Sequence, residues 1–567
     1  MPIRRGVIFD AQGHELAVSR DTVSIGIKPQ EVLKNENSII DLSKFLKTSD
    51  KEIRKRILES DKFFYLKRKI PLEEAEPLKK LNLLGVEIQD EPDRYYPNHR
   101  LASQILGFTG VDGEGLSGVE YQFNSALLQS SERDFVGNNI HLTLNSFVQH
   151  QLENTLADGL EKSNSKHAMG IILETHTGRV LAMASIPDFD PNWPKKSSDA
   201  TYRNEAISFR YEPGSTFKIF SMASLLRKNL LNEETHYNCP GYFEYHGQRI
   251  SCPRKHGDQT FVEVMKNSCN YGVIQATWQI SVLELYENLR AFGFHTQTDI
   301  PLPGETRGHL PSPKDWDFYL KMSIPIGHGV SVTPLQLAVA ANAVGNDGVF
   351  LSPLLVDRIT NSRGNTIEKF TPQVKYQALS AEFARKIRKV LREVVKSGTG
   401  ANADLGLDLK DFDVCGKTGT SLKSTNKGYD KKKYQASFVG FFPCEKPEIT
   451  ILIMFDEPRG ELHQGATVAA PAFRRVLLEI IPAIHIGDVK RVEPLPTPAY
   501  HTVKSSAKIM PDFRRLSKKE LIFQVLSKYQ GDHEYRGSGY VMSQHPAPGK
   551  PISPPYRFSF DLGFPDD

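Results

Sequence analysis

Cysteine and tryptophan are scarce in this chain, which has five cysteines and three tryptophans among 567 residues. So few cysteines in so long a chain exclude the disulfide framework that stabilises small secreted domains. The sequence also lacks any apolar run of about 18 residues, so it predicts no transmembrane helix. It contains no internal repeat and no low-complexity tract, which excludes the repeat architectures.

Charge of one sign is not in excess either, because the formal net charge is only +4 at pH 7. Nucleic-acid-binding domains concentrate basic charge on one surface, so we expect no nucleic-acid partner. Hydrophobic and charged residues make up 39% and 24% of the chain, which is ordinary for a folded protein. At about 150 residues per domain, the length predicts three or four domains.

Changes of pattern along the chain predict an N-terminal module over residues 1–140. The segment RRGVIFDAQGHELAVS indicates a hairpin with Gly13 in its turn. The segment DKEIRKRILESDKFFYL, residues 50–66, predicts an exposed amphipathic helix. The apolar residues on one side of that helix are Ile53, Ile57 and Leu58.

Residues 141–490 have the pattern of one large α+β domain. Apolar residues recur every four positions from Val148 to Leu160 and predict a helix, and AMGIILETHTGRVLAMAS predicts a β-hairpin. A Pro-rich linker follows over 491–504. The remainder, 505–567, predicts a small αβ module whose helix begins with a capping box formed by Ser517 and Glu520.

The string S-x-x-K draws attention to Ser215. Any single occurrence of it is most often a solvated serine and lysine, but here Pro213-Gly214 turns the chain into an apolar helix just before Ser215. The free N–H groups of a first helical turn favour negative charge on a hydroxyl there. Lys218 follows on the same face, where a neutral amine can remove the hydroxyl proton. The four such strings start at Ser163, Ser215, Ser424 and Ser505.

Two further motifs complete an order typical of penicillin-recognising enzymes: S-x-x-K, then S-x-N, then K-T-G. The second motif is Ser268-Cys269-Asn270, with cysteine where aspartate is usual, and the third is Lys417-Thr418-Gly419 followed by Thr420. Residues two apart in an extended segment face the same way, so Ser268 and Asn270 are expected to face one site. We therefore predict that the three motifs converge in one cleft.

Each residue of these motifs has a chemical role. Ser268 can relay a proton to a leaving amine, and Asn270 can hold a substrate amide. Lys417 supplies positive charge, and Gly419 leaves room for substrate to approach the strand. The hydroxyls of Thr418 and Thr420 can bind a terminal carboxylate of the substrate. The backbone N–H groups of Ser215 and Thr420 are the candidates for the oxyanion hole.

With these motifs and longer segments, the chain resembles a class B penicillin-binding protein, a monofunctional D,D-transpeptidase. RRGVIFDAQGHELA and GEGLSGVEYQFN are similar to the family's N-terminal pedestal, a dimerisation-like domain. TGRVLAMASIPDFDPN, IGHGVSVTPLQLAVA and ASFVGFFP are similar to its transpeptidase domain, and the C-terminal residues resemble one PASTA domain. The resemblance implies a multidomain α+β protein whose serine β-lactamase-like domain has a central antiparallel sheet flanked by helices.

The resemblance also implies an activity. Ser215 would attack the D-Ala-D-Ala end of a peptidoglycan stem peptide, release the last D-Ala and pass the acyl group to an amine of a neighbouring strand. β-Lactams would acylate the same serine, and catalysis would need no cofactor. The alternatives on the same fold are a D,D-carboxypeptidase or a β-lactamase, and a β-lactam sensor or divisome scaffold is an alternative from another class.

A place in the cell envelope follows from the same resemblance. The chain opens without a signal peptide, so the residues alone are also compatible with a cytosolic protein. The family instead implies the extracytoplasmic face of the cytoplasmic membrane, an N-terminal anchor helix absent from this sequence, and a membrane polymerase or divisome partner. Glu212 and the PASTA-like module resemble division-type and sporulation-type members, which implies septal wall synthesis.

Three of the five cysteines lie close together in the sequence with one histidine. Their spacing is C-x12-C-x3-H-x12-C, and a shell of three cysteines and one histidine is a recognised structural zinc site. Some elongation-type relatives carry a metal near this segment. The alternatives are a Cys239–Cys252 disulfide or buried free thiols. The four candidate ligands are Cys239, Cys252, His256 and Cys269.

The remaining cysteines, Cys415 and Cys444, are expected to be small core residues because both adjoin apolar strands. Between those strands, the basic run over residues 431–433 predicts a solvated loop.

Overall fold

A computed structural model shows how these segments fold. The structure describes residues 3–130, 135–196, 199–231, 235–406, 412–425, 428–460, 462–484, 510–516, 518, 521, 529, 531–552 and 556–563. The linker expected at 491–504 and the capping box expected at Ser517 and Glu520 lie outside the described residues. No helix within the described ranges is both long enough and apolar enough to cross a bilayer.

The described part of the N-terminal region contains seven strands and seven helices. Its strands are β1 (Ile8–Phe9), β2 (Glu15–Arg20), β3 (Thr22–Ile27), β4 (Phe64–Pro71), β5 (Val86–Asp90), β6 (Asp93–Tyr95) and β7 (Asn139–Leu142). Its helices are α1 (Pro29–Val32), α2 (Glu36–Leu46), α3 (Asp50–Leu58), α4 (Leu72–Leu81), α5 (Ser103–Leu106), α6 (Gly118–Gln122) and α7 (Asn124–Leu128).

One predicted helix in this region is too long. The structure ends α3 at Leu58, and FYLKRKIP forms β4 beside β3. Ile57 is buried in the small core under α2 and α3, whereas Leu58 is 64% exposed. The aromatic residues after 62 favour a strand because they pack well on a half-buried sheet, and that preference outweighs the helical pattern before them.

The two N-terminal segments that resemble the pedestal are held together by a buried carboxylate. Glu120 accepts hydrogen bonds from Arg5 at 2.9 Å and from Arg94 at 2.6 Å. All three side chains are buried, so removing one partner would leave a charge uncompensated in the interior. This network fixes α6 against the start of the chain.

The middle region carries most of the helices. They are α8 (Ser146–Ser163), α9 (Asp199–Tyr202), α10 (Glu205–Ser208), α11 (Lys218–Arg227), α12 (Phe261–Lys266), α13 (Asn270–Thr277), α14 (Val282–Arg290), α15 (Phe318–Ser323), α16 (Pro334–Gly345), α17 (Ala381–Ser397) and α18 (Ala470–Ile480). The predicted N-cap of α16 is confirmed, because Thr333 and Gln336 form a capping box around Pro334.

The strands of the middle region form one large sheet and several short ladders, and two of them join a sheet of the N-terminal region. They are β8 (His167–Glu174), β9 (Val180–Ile186), β10 (His236–Cys239), β11 (Tyr242–Tyr245), β12 (Gln248–Ser251), β13 (Gly257–Thr260), β14 (Val349–Leu351), β15 (Val356–Thr360), β16 (Thr366–Lys369), β17 (Val374–Gln377), β18 (Cys415–Thr425), β19 (Gly428–Phe442) and β20 (Ile449–Asp456).

The central sheet has the order β18-β19-β20-β8-β9 and is antiparallel throughout. Helices α8 and α18 pack on one face, and α11, α16 and α17 lie in the core on the other. The expected antiparallel sheet flanked by helices is therefore confirmed. Strand β18 forms one edge, which leaves its outer side available to a ligand.

A second sheet crosses the boundary between the two regions. Its order is β16-β15-β7-β1-β2-β6, so two strands from the middle region extend a sheet started by the N-terminal region. β15 pairs antiparallel with β7, and β7 pairs parallel with β1. Local sequence patterns do not reveal such pairing, because strands more than 200 residues apart form it.

Two expectations about the β18–β19 hairpin need correction. Cys415 and Cys444 are buried as predicted, but they also form a disulfide that joins the start of β18 to the residues after β19. The lysine run lies within β19 and not in a loop, and Lys433 pairs with Glu457 on the neighbouring segment. The hairpin extends further than the apolar pattern indicated because its outer part is a polar two-stranded ribbon.

The C-terminal module contains a three-stranded sheet of β21 (Gly531–Gly537), β22 (Tyr540–His545) and β23 (Tyr556–Gly563). β23 lies in the middle, parallel to β21 and antiparallel to β22. The module contacts the middle region, where Tyr540 packs with Val282 and Leu283 of α14 and Arg515 pairs with Glu287.

Candidate active site

The turn that carries Ser215 is held by close backbone packing. Residues Gly214–Phe217 form one turn of 3-10 helix, and α11 starts at Lys218. Gly214 has a left-handed φ of 55° and donates its N–H to the Gly327 carbonyl at 3.0 Å. A Cβ at position 327 would lie 2.1 Å from the Gly214 oxygen, so only glycine fits there. The half-buried Ser215 hydroxyl makes no hydrogen bond to any described residue.

Lys218 is fully buried and points at the S-x-N segment. Its Nζ donates to the Ser268 carbonyl at 2.6 Å, to Asn270 Oδ1 at 2.7 Å and to Ser268 Oγ at 3.3 Å. Burial lowers the pKa of Lys218 to about 8, because the charged form loses its water shell. With this pKa, roughly one tenth of the Lys218 amines are neutral at pH 7 and about half are neutral at pH 8.

Lys417 reaches the same serine from the other side. Its Nζ donates to Ser268 Oγ at 3.0 Å and is fully buried. Burial, and then repulsion from Lys218, lowers the pKa of Lys417 well below its usual value. The Ser268 hydroxyl thus lies between two lysine nitrogens that cannot both be charged at low cost, which is a suitable arrangement for relaying a proton.

The S-x-N segment faces Lys218, but it is not the extended segment that was expected to orient Ser268 and Asn270. Ser268 has a left-handed φ of 54°, and Asn270 is the first residue of α13, so the segment is not extended. Cys269 is the N-cap, and its sulfur accepts from the Gly272 N–H at 3.4 Å. Asn270 Nδ2 donates to the Ser251 carbonyl at 2.9 Å, which fixes the plane of the carboxamide.

The K-T-G residues occupy the edge strand β18 beside the Ser215 turn. Thr418 Oγ1 donates to Thr399 Oγ1 at 3.0 Å, and Thr420 Oγ1 accepts from the Gly465 N–H at 3.0 Å. A Cβ on Gly419 would lie 2.4 Å from Ser437 Oγ and 2.9 Å from the Pro213 oxygen. Gly419 therefore lets the strand approach the Ser215 turn, whereas we had expected it to make room for substrate.

Two features of the site were missed in the sequence: the support of Thr418 by Thr399 and the contacts of the Glu212 carboxylate. Thr399, just after α17, supports Thr418, and only its position in a Gly-Thr-Gly turn could have drawn attention to it. The Glu212 carboxylate accepts from the Gly329 N–H at 3.1 Å and from the Tyr429 hydroxyl at 3.0 Å. Burial raises the pKa of Glu212. These contacts join three segments that the sequence gives no reason to place together.

Neither Ser163 nor Ser424, the two other S-x-x-K serines that the structure describes, contacts this cluster. Ser163 ends α8 and donates to the Gly159 carbonyl, and Ser424 is exposed near the end of β18. Ser505 lies outside the described residues.

The four candidate metal ligands do meet in space. Their ligand atoms all lie within 4.8 Å of one another. The Cys239–Cys252 and Cys252–Cys269 sulfur separations are 3.7 and 3.8 Å, and Cys239 Sγ lies 3.6 Å from His256 Nδ1. The alternative of a Cys239–Cys252 disulfide is not realised, because bonded sulfurs are about 2.05 Å apart. A tetrahedral zinc with sulfurs at about 2.3 Å needs neighbouring sulfurs about 3.8 Å apart, which these residues match.

Two protein families match this chain. The penicillin binding protein transpeptidase domain matches residues 168–478, which is more than half of the chain. The penicillin-binding protein dimerisation domain matches residues 1–144. The first match contains all three motifs of the cluster, and the second contains both segments that resemble the pedestal.

Similar curated proteins extend the likeness over most of the chain. Stage V sporulation protein D of Bacillus subtilis is 30% identical over 518 residues, which cover 86% of this chain and 79% of that protein. The peptidoglycan D,D-transpeptidase FtsI of Escherichia coli is 27% identical over 509 residues, which cover 85% and 84% of the two chains.

A solved structure shows the same fold. The penicillin binding protein 3 of Mycobacterium tuberculosis, solved with aztreonam, superposes with a TM-score of 0.69 at 24% identity and covers 88% of this chain and 100% of that one. Since family matches and relatives agree across both regions, the chain belongs to the class B penicillin-binding proteins and is a serine-type D,D-transpeptidase of cell-wall synthesis.

Proposed function

We propose that Ser215 is the residue acylated during peptidoglycan cross-linking. Its Oγ attacks the carbonyl carbon of the penultimate D-Ala, the C–N bond to the last D-Ala breaks, and that D-Ala leaves as an amine after taking up a proton. An amine of a second stem peptide then attacks the ester, releases Ser215 and forms the cross-link. β-Lactams acylate the same oxygen when their ring opens.

The observation that carries this proposal is the contact of Lys218 and Lys417 with Ser268. Lys218, one turn after Ser215, takes the hydroxyl proton in its neutral form, and Ser268 passes a proton to the leaving amine. Lys417 keeps the surroundings positive for a substrate carboxylate, which Thr418 and Thr420 receive. The backbone N–H groups of Ser215 and Thr420 form the oxyanion hole, which the close approach of Gly214 to the Thr420 carbonyl supports.

Mapping the acylated residue in the unmodified protein tests this proposal. The protein is incubated with benzylpenicillin, digested and analysed by mass spectrometry. The drug mass should appear on the peptide that contains residues 211–218, with fragment ions that assign it to Ser215. An adduct on any other serine would overturn the assignment.

The pKa of Lys218 predicts how acylation depends on pH. A base with a pKa of about 8 is mostly protonated and inactive at pH 7, and it becomes neutral as the pH rises. The second-order rate constant for acylation by benzylpenicillin should therefore rise about fivefold from pH 7 to pH 8 and about twofold more to pH 9. Stopped-flow measurements across this range check the profile. A rate that is flat or falls over the same range would contradict Lys218 as the base.

We also infer a setting for the enzyme from its relatives. Its substrate lies outside the cytoplasmic membrane, so we place the protein in the cell envelope at that face, with a membrane polymerase or divisome protein as partner. Stage V sporulation protein D and FtsI among its relatives support a septal or sporulation role. We place the domain boundaries near 140 and 490, with a linker over 491–504.

For the C-terminal module we propose a PASTA domain that packs on the catalytic domain. The strand order β21-β23-β22 and the contact of Tyr540 and Arg515 with α14 support this assignment.

We further propose that Cys239, Cys252, His256 and Cys269 bind a structural Zn²⁺. The separations of their ligand atoms fit a tetrahedral shell, and the ion would hold the turn that carries Ser268 and Asn270. Catalysis itself needs no metal, because the proposed steps use only side chains and backbone N–H groups.

Metal analysis gives a direct test of this site. Freshly purified protein should contain about one zinc per chain, and His256→Ala should lose most of it. His246→Ala is the matched control, because His246 lies nearby at an exposed hairpin turn and is not a candidate ligand. Zinc-free native protein, or a denatured protein with only one titratable thiol in place of three, would contradict the site.

A further inference from the structure

Glu212 lies three residues before Ser215, and its carboxylate is held by two other segments of the chain. It accepts the Gly329 N–H at 3.1 Å and the Tyr429 hydroxyl at 3.0 Å. Gly329 belongs to the segment that also accepts the Gly214 N–H, and Tyr429 lies near the start of β19. One side chain therefore joins the turn that carries the nucleophile to both of its neighbours.

The backbone of Glu212 is attached to the K-T-G strand as well. Ser421, which directly follows Thr420 in β18, donates its hydroxyl to the Glu212 carbonyl at 2.7 Å. β18 and β19 pair with each other, and Tyr429 lies opposite Ser424 in that pairing. Glu212 thus contacts one strand of the hairpin through its backbone and the other strand through its side chain.

The Glu212 carboxylate is ionised without a cation beside it. It forms no ion pair with any residue that the structure describes, and burial raises its pKa. Hydrogen bonds to an ionised acceptor are roughly twice as strong as those between neutral groups. The contacts with Gly329 and Tyr429 are therefore strong only while Glu212 carries its charge.

The titratable groups that face Glu212 keep their protonation states between pH 5 and pH 7.5. Burial, and then the charge of Glu212, raises the pKa of Tyr429 on β19 and of Tyr319 on α15. Burial lowers the pKa of His328, beside Gly329, to about 4. The nearest lysine of β18, Lys423, is paired with two other carboxylates. Within this group of side chains, the charge that changes as the pH falls is that of Glu212.

We propose that Glu212 is a positioning residue for acylation, whose ionised carboxylate holds the β18–β19 hairpin and the Gly329 segment against the nucleophile turn and so fixes the K-T-G edge at reacting distance from Ser215. The inference rests on the proposed function of Ser215 and deepens it. Glu212 does not touch the reacting atoms but acts through Ser215 and β18. Because a small misplacement of a reacting group can cost about 100-fold in rate, losing these contacts should slow the covalent step more than it weakens binding.

Acylation of the native protein and of Glu212→Gln by benzylpenicillin, measured between pH 5 and pH 7.5, tests the proposal. Glutamine keeps the shape and an acceptor oxygen but carries no charge. At pH 7.5 the first-order rate constant for acylation should be about 10-fold higher in the native protein, with the dissociation constant of the non-covalent complex changed by less than about twofold. As the pH falls and the native Glu212 takes up a proton, the ratio of the two rate constants should fall toward one. Titration of Lys218 affects both proteins and cancels from this ratio.

A second variant removes the partner of Glu212 and leaves Glu212 itself in place. Tyr429→Phe keeps the ring but loses the hydroxyl, so it should reduce the acylation rate constant several-fold. Combined with Glu212→Gln it should reduce the rate constant little further, because both changes act on the same contact. Tyr376→Phe is the matched control, because it removes a hydroxyl from β17, outside this cluster, and should acylate at the native rate.

The outcomes separate the positioning role from the function on which it rests. A ratio of native to Glu212→Gln rate constants that is the same at every pH overturns the role, since the loss would then not depend on charge. Fully additive effects of Glu212→Gln and Tyr429→Phe also overturn it. If melting curves show that Glu212→Gln is unfolded, native kinetics in Tyr429→Phe overturn the role and a pH-dependent loss supports it. A native protein that benzylpenicillin does not acylate at Ser215 overturns the proposed function itself.

Discussion

Replacing Ser215 with alanine should abolish acylation of the protein completely. The hydroxyl oxygen is the only atom of the proposed mechanism that becomes covalently bonded to substrate, and no neighbouring group can take its place. The expected result is loss of the fluorescent-penicillin band on a denaturing gel and loss of all cross-linked product. Thermal unfolding should change little, because the hydroxyl makes no hydrogen bond to a described residue.

A matched control is available in the other S-x-x-K string that the structure describes in full. Ser163 and Lys166 have the same spacing but lie at the end of α8, where the Ser163 hydroxyl donates to the Gly159 carbonyl of the same helix. Ser163→Ala should label as strongly as the native protein. A Ser215→Ala protein that still forms a stable adduct would show that another residue is the nucleophile.

Replacing Lys218 should produce the second-largest effect, a loss of about 10²–10⁴-fold in the acylation rate, which is the usual contribution of a general base. Lys218→Met keeps the length of the side chain but removes the amine. Lys218→Arg keeps a donor, but the guanidinium stays charged at all accessible pH values, so it cannot accept the proton of Ser215. Both variants should therefore be slow, and neither should show the rise in rate between pH 7 and pH 9.

This prediction separates the chemical role of Lys218 from its structural one. Its amine also holds the Ser268 carbonyl and Asn270 Oδ1, so Lys218→Met could loosen the S-x-N turn. Lys218→Arg preserves a donor, and circular dichroism melting curves report whether each variant is folded. Lys228→Met, which changes an exposed lysine just after α11, should acylate at the native rate. A folded Lys218→Arg variant with native kinetics would rule out the proton transfer.

Much of the fold could be predicted, because the signals that specify it are local. The period of the apolar residues in α8, the Thr333 cap of α16 and the turn at Gly178 each depend on neighbours in sequence. The end of α3 and the pairing of β15 with β7 could not be predicted in this way. One depends on competition between helix and strand preference, and the other on contacts between distant segments.

The candidate site shows the same difference between local signals, which could be predicted, and contacts between distant segments, which could not. The motif set identified Ser215, Lys218, Ser268, Asn270 and Lys417 as one group, and the structure brings the last four into direct contact. The structural reasons given for two of these residues were wrong. Ser268 lies in a left-handed turn and not in an extended segment, and Gly419 packs against the Ser215 turn. No sequence motif marks Thr399 or the Cys415–Cys444 disulfide. Each depends on a contact with a residue that is distant in the sequence.

The six-stranded sheet with the order β16-β15-β7-β1-β2-β6 is shared by the pedestal and the catalytic domain. The hydrogen bonds between β7 and β15 join the two regions in addition to the covalent chain, so we expect the junction to be stiffer than a single-chain tether. A fragment cut after β7 would leave the edge of β15 bare, and bare edges invite pairing with other chains. We therefore expect the catalytic domain, when it is expressed without the pedestal, to aggregate more readily than the whole chain.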